Sequence, residues 1–163
     1  MGARIIACEP SRANFEQFLQ NLAHNPTNKV TPVRAAIATT SGTGSLQLSN
    51  STNHHLTASG TPGTEPVTLL SLLDLMQQYA IGHIDFLKLD CEGAEYEILP
   101  QLSPALFGRI TTISLEFHHG TTPDRTGLAL TRLLRKNGYR IVSYRHAPTH
   151  QGLNYGYLIA TRD

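Results

Sequence analysis

Ile84-Asp85-Phe86-Leu87-Lys88-Leu89-Asp90 runs directly into Cys91-Glu92-Gly93-Ala94-Glu95-Tyr96-Glu97-Ile98-Leu99, and the change of pattern between the two stretches decides the fold. The first carries apolar residues on both faces, the pattern of a central parallel strand. The second crowds acids into a first helical turn, where they complement the helix dipole. Gly93 permits the close backbone approach needed where strand becomes helix, and Pro100 bends or ends that helix. A strand that passes straight into a helix is the repeating unit of an α/β sheet.

Upstream, Arg4 to Cys8 reads as a buried strand ending at Glu9, because Pro10 cannot continue a ladder. Phe15, Phe18, Leu19 and Leu22 then form an i, i+3, i+4, i+7 stripe, which predicts a helix closing near Pro26. Val30 to Ala38 predicts a second strand. Thr39 to Pro66 is rich in Ser, Thr and Gly, with too little apolar surface to offset chain entropy alone, so a surface excursion is expected there. Within it Gly42 to Ser49 alternates like an edge strand, and Asn53-His54-His55 is expected at an exposed tip. Leu69 to Tyr79 has helical spacing.

Downstream, Arg109 to Phe117 predicts a strand and Asp124 to Asn137 a helix, with Leu130, Leu133 and Leu134 inward and Asn137-Gly138 as its stop. Tyr139 to Arg145 and Tyr155 to Thr161 flank a loop too short for a helical crossover, so they are expected to pair antiparallel.

A formal charge of +1 and the lack of a Lys/Arg cluster leave no electrostatic footprint for nucleic acid or an anionic membrane, and there is no Trp to anchor at a lipid interface. No apolar stretch approaches the roughly 20 residues of a membrane span, and the N-terminus lacks the features of a secretory signal, so a cytoplasmic location is expected. The length suits one core, hence a single domain over residues 1–163 with the 39–66 excursion. Cys8 and Cys91 lack metal or redox spacing and read as buried thiols. The adjacent pairs His54-His55 and His118-His119 point apart in a strand and do not suit zinc.

In an open α/β sheet, ligands bind beyond the carboxyl ends of the strands. Those ends carry Glu9, Ala36, Asp90 with Glu92, and Glu116 with His118 and His119. Acids converging on one rim need hydroxyls, a cation or protonation to balance them, and a ligand site supplies that balance. Glu9 can accept hydrogen bonds from the vicinal hydroxyls of a ribose, or simply face solvent before the proline turn. Asp90 and Glu92 can serve a site, or form a salt bridge with Lys88 and cap the helix. His118 can act as a base, or as a structural hydrogen-bonding group.

Glu9-Pro10, Asn14, Asn21, the Asp85 to Glu95 stretch and Glu116-Phe117-His118 together resemble the FkbM-type methyltransferases, a branch of the S-adenosylmethionine-dependent superfamily. The resemblance implies a Rossmann-like, class I methyltransferase sheet of seven strands, mostly parallel, with its last strand antiparallel. It also implies S-adenosylmethionine as cofactor, with Glu9 on the ribose, Ala36 near the adenine, and Asp90 facing the methionine end and the substrate. The implied reaction is O-methylation of a hydroxyl on a sugar or small natural product, with Asp90, Glu92, Glu116 and His118 as catalytic candidates and His118 or an acid as the base. A variant in which Asp90 and Glu116 hold a divalent cation is open.

The family's first strand, with its glycine-rich cofactor loop, has no counterpart here and is expected to be missing. Its place in the family's sheet is between the strand ending at Glu9 and the strand ending at Asp90, and direct pairing of those two strands is one expected way to close the gap. The rival reading is a non-catalytic or truncated domain of the same fold that acts as an interaction module. Oligomeric state is not legible.

Overall fold

The computed structural model describes residues 2–47, 55–57, 63–118, 122–146 and 155–162, and of 55–57 only the backbone. The chain divides into two compact units, Met1–Leu72 and Leu73–Asp163. No helix among the described residues is long and apolar enough to cross a membrane.

In the first unit, β1 (Ile5–Cys8) leads through α1 (Arg12–His24) to β2 (Val30–Val33), which lies parallel to β1 with Ile5 opposite Val30 and Cys8 opposite Val33. A helical crossover is what a parallel pair requires. The predicted α1 stripe forms, with Phe15 and Phe18 edge to face at 6.3 Å, yet no residue of α1 is fully buried.

The Val30 to Ala38 run is two strands. β2 stops at Val33, Ala35 N–H turns back to bond the Val33 carbonyl at 3.1 Å, and β3 (Ala36–Ala38) joins a different sheet. That sheet adds β4 (Gly42–Gln47), β5 (His55–Thr57) and β6 (Thr64–Ser71), in the order β3-β6-β4-β5.

The Ser/Thr/Gly excursion therefore supplies structure as well as surface: Leu46 is buried with Ala36 and Val67, and Leu69 packs against them. Leu69 to Ser71, read from spacing as the start of a helix, belong to β6, where they pair in parallel with Ala36 to Ala38. Ladder bonds and burial of Leu69 decide this, and helical periodicity carries neither. The expected tip at Asn53 and His54 lies outside the described residues.

The second unit begins one residue into α2 (Leu72–Gln78) and continues with β7 (Ile84–Asp90), α3 (Glu95–Gln101), α4 (Pro104–Phe107), β8 (Ile110–His118), α5 (Gly127–Lys136), β9 (Arg140–His146) and β10 (Tyr155–Thr161). Its sheet runs β7-β8-β10-β9. β7 and β8 are parallel, and β10 is antiparallel to both β8 and β9, as the short loop required. α5 starts at the Thr126 cap, whose Oγ1 accepts from Ala129 N–H at 3.2 Å, and stops at Gly138 with φ +86°. It presses Leu130 and Leu134 inward, each worth roughly 1.5–3 kcal/mol. α3 carries Pro100 in its last turn, so the helix ends there.

β7 is an edge strand among the described residues, and Phe86, expected in a central strand, is 59% exposed. β1 and β7 lie in different sheets, so the expected direct pairing is not realised. Exposed strand edges bond water, which removes the penalty that would have driven closure.

Phe117, at the heart of this unit, stacks on Tyr144 with ring centroids 5.5 Å apart and fills the space above Gly127 and Gly156. A Cβ on Gly156 would collide with the Phe117 ring and with the Arg145 carbonyl. Gly156→Ala is therefore expected to destabilise the fold by about 1–3 kcal/mol, read as a lower urea midpoint at unchanged slope.

Candidate active site

Parity along the strands builds the site. Asp90 on β7 stands opposite Glu116 on β8, Glu116 opposite Tyr157 on β10, and Tyr157 opposite Arg145 on β9, so one row of side chains crosses the whole second sheet. Asp90 shares its face of β7 with Lys88, and the two form an exposed pair with Nζ 3.1 Å from Oδ2. Such a pair adds little stability but occupies one Asp90 oxygen.

Beyond β7 the backbone makes an unusual turn. Glu92 has φ +52° and Gly93 φ +102°, two successive residues in conformations that favour glycine. For Glu92 this costs on the order of 1 kcal/mol, and outliers of this kind concentrate at functional sites.

Three carboxylates and one imidazole meet at this turn. His118 Nε2 lies 3.2 Å from Glu92 Oε2 and 4.0 Å from Glu116 Oε1, and its Nδ1 lies 3.7 Å from Glu95 Oε1. The ring stacks against Tyr155 at 6.3 Å. Glu95 is fully buried, and its oxygens accept from two backbone donors, Oε1 from His118 N–H and Oε2 from Gly93 N–H, both at 2.9 Å.

The sequence reading placed Asp90, Glu92, Glu116 and His118 at the site and passed over Glu95. An acid in a first helical turn looks like a dipole partner, and only its burial marks it out.

These contacts raise the His118 pKa: the Glu95 carboxylate is the first cause, burial opposes it, and Glu92 and Glu116 add to it. Glu92 is raised as well, by burial first, with His118 opposing and Asp90, Glu116 and Glu95 reinforcing. Burial pushes the Cys8 thiol up to about 11 and the Cys91 thiol up to about 12, so both stay protonated and unreactive at neutral pH. Among the described residues no group of three or more His, Cys, Asp and Glu is arranged to hold a metal ion. His119 lies outside the described residues.

In the first unit, Glu9 sits half-buried just past β1. Its Oε1 accepts from Ser11 N–H at 2.8 Å, turning the chain into α1, and among the described residues Oε2 has no partner. Ala36 is buried with Leu46 and Val67. The first unit also holds a shallow cavity of about 260 Å³ at Arg34, Pro66, Val67 and Thr68, and the second an open one of about 360 Å³ at Ser114, Ser143, Arg145, Tyr157 and Ile159. Neither is lined by a predicted site residue.

A family model for the methyltransferase FkbM domain matches residues 1–141. The hexuronic acid methyltransferase AglP of Haloferax volcanii is 26% identical over 121 residues, 74% of this chain and 50% of that protein. The crystal structure of methyltransferase FkbM from Methylobacillus flagellatus KT superposes with a TM-score of 0.57 at 18% identity, over 95% of this chain and 36% of that one. Precorrin-6y C5,15-methyltransferase from Geobacter metallireducens GS-15 gives a TM-score of 0.47 at 16% identity, over 98% and 67%. The chain thus spans about half the length of the curated relative it matches. The fold is that of the Rossmann-like methyltransferases.

A pH series tests the His118 cluster. His118 has a folded pKa above its ordinary 6.5, so its contribution to stability is full below about pH 6.5 and is lost as pH rises through the folded value. The melting-temperature advantage of wild type over His118→Gln is expected to be largest at acid pH and to shrink through neutrality, read by thermal denaturation across pH.

Proposed function

We propose, for a chain that belongs to the FkbM methyltransferase domain family, that its second unit carries the acid–base groups of an S-adenosylmethionine-dependent O-methyltransferase whose substrate is a sugar hydroxyl. The observation that carries the reading is the His118 cluster at the strand ends, where Glu92, Glu95 and Glu116 surround one imidazole. When bound, S-adenosylmethionine supplies an electrophilic methyl group and departs as a neutral thioether.

The attacking hydroxyl must lose its proton as its oxygen bonds the methyl carbon, so this chain's work is to align that oxygen and receive the proton. Asp90, Glu92, Glu116 and His118 are the groups proposed for it. Their acceptors suit hydroxyls, and the AglP relative, which acts on a hexuronic acid, makes a sugar the preferred class.

The residues present fit the cofactor at Glu9, a half-buried carboxylate whose Oε2 has no partner among the described residues and suits a ribose hydroxyl. Asp90 is proposed toward the methionine end, where a carboxylate offsets positive charge. Ala36 is retained near the adenine on the family pattern alone.

The test is titration calorimetry with S-adenosylmethionine, followed by mass-spectrometric detection of methyl transfer to a hexuronic acid and to the neutral hexose. Transfer to a sugar hydroxyl supports the reading. Binding and transfer both absent in a chain of the relatives' full length would favour a non-catalytic interaction module.

Two substitutions refine it. Glu9→Ala is expected to weaken cofactor affinity by about 1–3 kcal/mol, the scale of charge-assisted hydrogen bonds to hydroxyls. Asp90→Asn is expected to lower kcat well beyond its effect on cofactor affinity, which steady-state kinetics and calorimetry together would resolve.

A further inference from the structure

Both ring nitrogens of His118 face carboxylates. A neutral imidazole protonates one nitrogen and keeps a lone pair on the other. With Glu92 Oε2 3.2 Å from Nε2 and Glu95 Oε1 3.7 Å from Nδ1, a buried nitrogen with no hydrogen-bond partner among the described residues, either neutral tautomer turns a lone pair toward a carboxylate oxygen. The imidazolium instead turns a positive N–H toward each, and at Nδ1 the attraction to Glu95 acts as a charge contact across 3.7 Å, longer than a hydrogen bond.

Glu95 cannot withdraw from this arrangement, because its two oxygens are held by the N–H groups of His118 and Gly93. Only a carboxylate accepts at both ends. A glutamine would turn its NH₂ toward one of those donors.

We propose that Glu95 is a positioning residue: from its buried place at the start of α3 it keeps His118 doubly protonated, so that the ring serves as a fixed cationic donor and the substrate proton passes to a carboxylate, Glu92 foremost. The assignment rests on the O-methyltransferase reading above and divides the roles within it. Glu92 suits the acceptor role because its carboxylate is the nearer of the two acids to Nε2, at 3.2 Å against 4.0 Å for Glu116, and is only partly buried.

The other groups facing His118 are Glu116 on its own strand and the Tyr155 ring on β10, with Asp90 one strand beyond Glu116. Glu116 is the more distant acid from Nε2, and Tyr155 contributes a ring face. Neither replaces Glu95 at Nδ1.

Long-range ¹H–¹⁵N NMR of the imidazole, followed from about pH 5 to about pH 9, reads both nitrogens directly. Wild type is expected to show both protonated at neutral pH, with a midpoint above 6.5. The Glu92→Gln/Glu116→Gln double variant leaves the buried backbone bonds intact and is expected to keep its midpoint above 6.5, whereas Glu95→Gln is expected to lower it. A midpoint at or below 6.5 in the double variant, or an unchanged midpoint in folded Glu95→Gln, overturns the proposal. If Glu95→Gln does not fold, the double variant decides alone. Failure to detect methyl transfer would count against the O-methyltransferase reading and leave this titration as it stands.

Discussion

The carboxylate of Glu95, out of contact with water and gripped by two backbone N–H groups, is the constraint on which the second unit's site depends. A buried charge costs several kcal/mol unless hydrogen bonds replace its hydration. Here the replacements come from two places far apart in sequence, the turn after β7 and the end of β8, so satisfying one carboxylate fixes one strand end against the other. The parallel register of β7 and β8 then sets Asp90 opposite Glu116.

That register turns strand parity into chemistry. Residues Ile113, Leu115 and Phe117 of β8 point into the core, so Ser114, Glu116 and His118 must share the opposite face. The same alternation in β10 buries Leu158 and Ala160 and turns out Tyr155 and Tyr157. Three acids around one imidazole would repel if all were ionised and the ring neutral. The raised pKa values of His118 and Glu92 are the physical response, one holding its proton more tightly beside negative neighbours and the other ionising reluctantly as water is lost.

The first unit follows a different logic. Glu9 is engaged in local structure, its Oε1 accepting from Ser11 N–H and turning the chain into α1. The Ser/Thr/Gly stretch forms strands because β6 offers it a ladder and a few apolar contacts, Leu46 above all. A segment too polar to fold alone gains order from backbone bonds to a neighbour.

What the sequence determined by itself was whatever depends on local pattern: the strand-to-helix passage at Asp90, the stripe of α5 and its Asn137-Gly138 stop, the antiparallel end, and the family, legible in Asp85 to Glu95. It also put Asp90, Glu92, Glu116 and His118 on one rim, because period 2 and the position of strand ends are local properties. The tertiary structure alone decided where Val30 to Ala38 breaks, that Leu69 to Ser71 are strand, that β7 is an edge among the described residues, and that Glu95 is buried against His118. Each of these turns on which backbone groups find partners and which side chains lose water, and both are settled by segments distant in the chain, where hydrophobic period carries no information.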